Sequence, residues 1–262
     1  MKIAILGAGA FGTALGGILA FNGYDIDYYD PKLERESLSE VLAGASYILL
    51  AAPSSAAPYL LPHLPTDTPL IVATKGILGD ASFHEFSDYM VLSGPGFADD
   101  IKARKKTILT ITDKRLEELF RAEYMSFDYT ADAKGVLMCG ALKNVYALLS
   151  GYRGLKPGTP EFSKYVREAT LEMKEFLKVN GADEATVELA CGKGDLKLTC
   201  YLPSRNYEFG KLFSENSSAK PEKTVEGLAA LRRILRGEIK VPENLPIFTE
   251  IVEKFTAISD AL

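Results

Sequence analysis

Two groups of residues in this chain of 262 have the types and the spacing to do chemistry. The first is Gly7-Ala8-Gly9-Ala10-Phe11-Gly12, which follows a short apolar run over residues 2–6. Between a strand and a helix, Gly7 permits a tight turn, Gly9 lets the backbone approach a pyrophosphate, and Gly12 lets helix and strand pack closely. The anion would sit at the helix N-terminus, where backbone N–H groups are free. Asp30 closes the next strand-like segment, about 20 positions on, as a dinucleotide fingerprint requires. A carboxylate there accepts hydrogen bonds from adenosine ribose hydroxyls and repels a 2′-phosphate, so NAD(H) is favoured and NADP(H) is the alternative. Lys32 and Arg35 lie close by. They either soften that preference or face solvent.

The second group centres on Lys143, in Gly140-Ala141-Leu142-Lys143-Asn144. Apolar residues at 136, 137, 139, 142, 145 and 149 fall at helical spacing. Around Lys143 at helical distance stand Cys139, Gly140 and Ala147, with no carboxylate to pair with it. Such a lysine can lean into a cavity, where its pKa falls and it can exchange a proton with a substrate oxygen. The alternative is a lysine that holds a charged face in water. Lys75 ends a strand-like run over 70–74, at the edge where open parallel sheets meet ligands. Asp195 follows Gly192-Lys193-Gly194, with Thr199 four residues on. Either the two side chains converge on one point, or Asp195 caps a short helix. With Ser204 as N-cap, Arg205 and Asn206 stand at a helix N-terminus, where N–H groups, the helix dipole and a guanidinium fork suit a phosphate.

The elements that must position these residues change character near residue 133. Before it, strand-like runs over 2–6, 24–29, 47–51, 70–74, 90–92, 107–112 and 127–130 alternate with helical stretches at 13–21 and 114–124. Residues 99–106 are charged and read as a solvated helix or loop. After it the signals are almost all helical. Thr159-Pro160 opens an amphipathic helix ended by Asn180-Gly181, and further helices are expected over 184–190, 207–213, 225–235 and 245–258. The fold class is therefore α/β: a dinucleotide-binding domain with a mostly parallel sheet over 1–133, then an all-α substrate-binding and catalytic domain over 134–262. A net charge of −5 gives no case for nucleic acid. The apolar run to Phe21 is too glycine-rich for a secretory signal, and no stretch suits membrane insertion. Three cysteines without metal-ligand spacing suit a reducing cytosol, so a cytoplasmic location and no metal are expected.

Taken together, GAGAFGTAL at 7–15, AAPS at 51–54, TKG at 74–76, SGPGFADDI at 93–101, GALKN at 140–144, GKGDLKLTC at 192–200, PSRNYEFG at 203–210 and VEG at 225–227 resemble the soluble NAD-dependent glycerol-3-phosphate dehydrogenases. The resemblance runs nearly the length of the chain. It implies a Rossmann-type first domain and reversible hydride transfer between NAD(H) and dihydroxyacetone phosphate, feeding glycerophospholipid synthesis, in a homodimer. It implies Lys143 as the catalytic lysine, with Lys75, Asp195 and Thr199 organising the reacting end. It implies cofactor contacts at Gly7, Gly9, Ala10, Phe11, Gly12, Asp30, Pro53, Lys75, Ala98, Arg205 and Glu226. For a small phosphorylated substrate it implies Lys75, Gly94, Gly96, Asn144, Asp195, Ser204, Arg205 and Asn206. The chain is shorter than usual members, with about 20 residues from Asp30 to Ala51, and Gly96 stands where members often carry serine or threonine.

Overall fold

The computed structural model describes residues 1–33, 37–201 and 204–260, the last two by backbone alone. Arg35 and Pro203 lie outside them. The chain divides into two compact units, one of residues 1–74 and 80–133, the other of residues 75–79 and 134–262. No helix among the described residues is long and apolar enough to cross a membrane.

The first unit is built on β1 (Lys2–Leu6), β2 (Asp25–Tyr29), β3 (Tyr47–Leu50), β4 (Leu70–Val72), β5 (Tyr89–Ser93), β6 (Thr107–Ile111) and β7 (Met125–Tyr129). They form one sheet in the order β2-β1-β3-β4-β5-β6-β7. All neighbours are parallel except β5 and β6. The inner strands β1, β3 and β4 are covered on both faces, which is why they read as unbroken apolar runs. The edge strands β2 and β7 are only half-buried and carry carboxylates. Helices α1 (Ala10–Phe21), α2 (Leu38–Leu42), α3 (Ala57–Leu60), α4 (Ala98–Lys102) and α5 (Arg115–Leu119) complete the unit. Leu15, Ile18 and Leu19 of α1, Ile101 of α4 and Leu116 and Leu119 of α5 share one core with β1 and β3–β6.

Two boundaries differ from expectation. Helix α1 begins at Ala10, inside the glycine run, because Gly12 lets the first turn settle onto the β1 end. A Cβ on Gly12 would stand 2.1 Å from the Gly7 carbonyl oxygen. Helix α5 ends at Leu119, since Phe120 leaves helical geometry while its ring stays in the core. Helix α2 has a reciprocal cap, Ser37 with Glu40, at a spacing visible in the sequence.

The second unit comprises α6 (Ala133–Tyr152), α7 (Pro160–Val179), α8 (Asp195–Thr199), α9 (Arg205–Glu215), α10 (Glu226–Leu235) and α11 (Pro246–Asp260). Helix α6 is buried on every side from Gly135 to Gly151, as a helix apolar all round must be. Helix α9 crosses it backbone against backbone: a Cβ on Gly210 would meet Leu148 O at 2.0 Å. Thr159 caps α7 through its hydroxyl, which accepts from Phe162 N–H at 3.2 Å. The helix expected over 184–190 is instead a 3-10 turn, Glu184–Glu188, followed by a π turn, Ala190–Gly194, that runs straight into α8. Residues 75–79 group with this unit, where Arg233 Nη1 donates to Gly76 O at 3.0 Å.

Candidate active site

In the first unit the dinucleotide motif lies at the carboxyl end of β1. Gly7 takes a positive φ of 111° and donates its N–H to Tyr29 O at 2.8 Å, tying the ends of β1 and β2. Gly9 is the N-cap of α1; no side chain caps the helix and no acid stands in its first turn. A Cβ on Gly9 would meet nothing within 4 Å. No side-chain cap or acid at the start of α1 competes with an anion, and the Gly9 backbone can be approached closely. Asp30 follows β2. Its Oδ2 accepts from Ala8 N–H and its Oδ1 from Lys32 N–H, both at 3.0 Å. A carboxylate has about four acceptor positions, so it retains capacity for a ribose diol. Pro53 follows β3, Gly94 and Gly96 follow β5, and Ala98 opens α4. These residues can hold a dinucleotide, and the glycine-capped, acid-free start of α1 is the feature that fits its pyrophosphate. Among the described residues, no group of three or more His, Cys, Asp or Glu side chains could hold a metal ion.

In the second unit, Lys143, Lys75, Asp195 and Thr199 come together. Lys143 is 3 % exposed and Asp195 1 %. Lys143 Nζ lies 2.5 Å from Asp195 Oδ2 and donates to Thr199 Oγ1 at 3.2 Å. The Thr199 hydroxyl in turn donates to Asp195 Oδ1 at 3.3 Å. Lys75 Nζ reaches the same Oδ2 at 3.3 Å. One carboxylate therefore serves two ammonium groups. Burial pushes the Lys143 pKa down to about 7; Asp195 opposes that fall and Lys75 adds to it. The π turn matters here. Gly194, not Asp195, is the N-cap of α8, so the Asp195 side chain is free to face Lys143.

A second network lies beside the first. Asn206 Nδ2 donates to Asn144 Oδ1 at 2.9 Å, and Asn206 Oδ1 accepts from Gly227 N–H at 2.9 Å. Asn144 Nδ2 donates to Gly140 O at 3.0 Å. These amides join α6, α9 and the start of α10, where Glu226 stands. Ser204 caps α9, accepting from Tyr207 N–H at 3.5 Å. Arg205 is exposed at the first position of α9, and its Nη1 reaches Thr224 O at 3.5 Å. The structure brings Asn144 and Asn206 together and leaves the Arg205 guanidinium at the surface.

Sequence reasoning missed the support behind α6. Tyr146, one turn beyond Lys143, donates its hydroxyl to Glu172 Oε2 at 3.0 Å. The Glu172 carboxylate also accepts from the N–H groups of Ile247 and Phe248, at 2.7 and 2.9 Å, and so caps α11. Desolvation raises the Glu172 pKa above the usual carboxylate value. The signal was present: an acid at 172 interrupts the apolar stripe of α7 between Ala169 and Phe176. The three cysteines are buried, and burial pushes the Cys200 thiol up to about 12.

Known proteins share this arrangement of sequence and fold. A profile described as the C-terminus of NAD-dependent glycerol-3-phosphate dehydrogenase matches residues 132–257. A glycerol-3-phosphate dehydrogenase (NAD(P)+) of Leptospira biflexa is 31% identical over 90% of this chain and 85% of its own length. One of Rhizobium etli is 31% identical over 100% of this chain and 96% of its own. In fold, the chain resembles the crystal structure of glycerol-3-phosphate dehydrogenase from Coxiella burnetii, with a TM-score of 0.81 at 24% identity, over 99% of this chain and 98% of the other. With a dinucleotide motif in one unit, a buried lysine paired to a carboxylate in the other, and relatives matching from end to end, the chain belongs to the NAD(P)-dependent glycerol-3-phosphate dehydrogenases, a family of oxidoreductases.

Proposed function

We propose that the chain interconverts dihydroxyacetone phosphate and sn-glycerol 3-phosphate with NAD(H) as cofactor. Bound NADH supplies the hydride that goes to the carbonyl carbon. Lys143, as ammonium, stabilises the negative charge that grows on the carbonyl oxygen and donates a proton to it from Nζ; in the reverse direction the neutral amine takes the proton back. Asp195 and Thr199 hold Nζ in place, and Lys75 adds positive potential. Arg205 grips the phosphate far from the reacting carbon and so orients the carbonyl. Asn206 joins it in that grip: its amide gives one N–H to Asn144 and has a second for the phosphate, while its Oδ1 accepts from Gly227 and fixes the start of α9.

In this reading residues 1–133 carry the dinucleotide and residues 134–262, with Lys75, carry the substrate and the proton. Asp30 favours NAD(H) over NADP(H). The enzyme works as a cytoplasmic homodimer that supplies glycerol 3-phosphate for glycerophospholipid synthesis. The observation that carries the proposal is the buried Lys143 amine held by Asp195 with a pKa near neutrality. Oxidation of NADH, followed by its absorbance, tests it. Dihydroxyacetone phosphate should drive the reaction, whereas ketopantoate and a substrate-free control should not. Equal turnover with ketopantoate would refute the phosphate grip.

A further inference from the structure

Away from the residues assigned to cofactor and substrate, Lys102-Ala103-Arg104-Lys105-Lys106 puts four cations into five residues of a chain whose net charge is −5. Lys105 is paired with Asp100 at 2.6 Å. The other three line a groove of about 770 Å³ on the first unit, together with Thr13, Gly17 and Phe21 of α1. Its single carboxylate is Glu123. Among the described residues none of these three cations is ion-paired, so the groove carries surplus positive charge. A volume of this size lies within the range of small-molecule sites.

Two further observations say that the groove takes more than a bare anion. Phe21 is 76% exposed, and the Arg104 guanidinium stands 5.6 Å from its ring centroid. Arg104 holds this place with a φ of 55°, in the left-handed region that glycine fills without strain. Gly17 sits in mid-helix and exposed, where glycine weakens a helix. Nothing in the chain requires glycine there, since a Cβ would meet no atom within 4 Å. Its missing side chain leaves the α1 backbone open beside an aromatic ring and three cations. We propose that this groove binds a phosphate ester borne on an apolar or aromatic body, with the phosphate taken by Lys102, Arg104 and Lys106 and the body laid along α1 at Gly17 and Phe21.

Isothermal titration tests this on the enzyme held with saturating NAD+ and dihydroxyacetone phosphate, so that both reactant sites are filled. The probes are ADP, octyl phosphate and inorganic phosphate. One equivalent of ADP or of octyl phosphate should bind, and more tightly than inorganic phosphate; which of the two binds tells an aromatic body from an alkyl one. The double variant K102A/R104G and, separately, Gly17→Gln should each weaken that binding about tenfold or more. Both should leave turnover unchanged, and the melting temperature should not fall, because glycine suits the left-handed position and glutamine suits a helix. Absence of binding by both esters, equal affinity for inorganic phosphate, or affinity unmoved in the variants would overturn the proposal.

Discussion

Replacing Asp195 with asparagine keeps the shape of the Lys143 site and removes its one negative charge. Asp195 is the influence that holds the Lys143 pKa up against burial and against Lys75. Removing one partner of a buried ion pair costs about 3–5 kcal/mol. At about 1.4 kcal/mol per pKa unit, a loss of that size lowers the Lys143 pKa by about two to four units. Reduction of the ketone needs the ammonium form. In the wild type, kcat/KM for reduction should therefore fall as pH rises through about 7, and kcat/KM for oxidation should rise through the same value. In D195N the falling limb should move to about pH 5 or below, which at pH 7 leaves about one ammonium in a hundred and slows reduction roughly fiftyfold from this cause alone.

Lys75→Met removes a like charge instead, so its limb should move the other way, above that of the wild type. The substrate phosphate ionises near pH 6, but it is common to all three enzymes and cancels in the comparison. Stability gives an independent reading. The folded pKa of Lys143, about 7, lies below its ordinary value of 10.5. Between those values the unfolded chain holds the extra proton, so wild-type stability should rise with pH through that window and be lowest below it. In D195N the window should open further toward acid. Two limbs that shift in the same direction, or a D195N limb that stays near 7, would refute the electrostatic account of this site.

Lys143→Met should lower turnover by about 10²–10⁴-fold, while fluorescence titration shows NADH binding near that of the wild type; near-normal turnover would remove its role. Arg205→Ala should raise KM for dihydroxyacetone phosphate by about 10- to 100-fold, the worth of hydrogen bonds from a charged group, and an unchanged KM would take Arg205 out of the phosphate site. Asp30→Gly should raise kcat/KM with NADPH relative to NADH by about tenfold. A wild type that already prefers NADPH would show the reading of that carboxylate to be wrong.

Much of this was legible in the sequence because it is local. The β1–α1 turn is written in consecutive residues, and so are the Thr159-Pro160 cap and the Ser204 cap. Strand runs fully buried in the sheet show as apolar blocks. What was not legible depends on residues far apart in the chain. Lys143 finds its carboxylate 52 positions on, through a π turn that no spacing rule signals. Lys75 ends a run that reads as strand, yet it groups with the helical unit. The sequence places Asn206 at a helix N-terminus, but gives no sign of its ties to Asn144 and to Gly227, 62 and 21 positions away. Glu172 looks like a break in an apolar stripe and is in fact the cap of a helix 75 residues away.

The charge balance of the second unit explains why these remote partners matter for chemistry. Two lysines share one carboxylate, and Asp195 is buried between their amines. The Lys143 amine is buried, and keeping it protonated beside a second ammonium is costly. That cost is relieved when Lys143 releases its proton, which burial brings down to near neutral pH. A ketone oxygen that gains negative charge relieves it in another way, by giving the Lys143 ammonium an anionic neighbour. The site is thus better matched to the charge that develops during reduction than to the uncharged carbonyl, which is the condition for binding energy to appear as rate. Lysine suits this task, because its pKa moves readily on burial and a permanently charged arginine could not give up the proton.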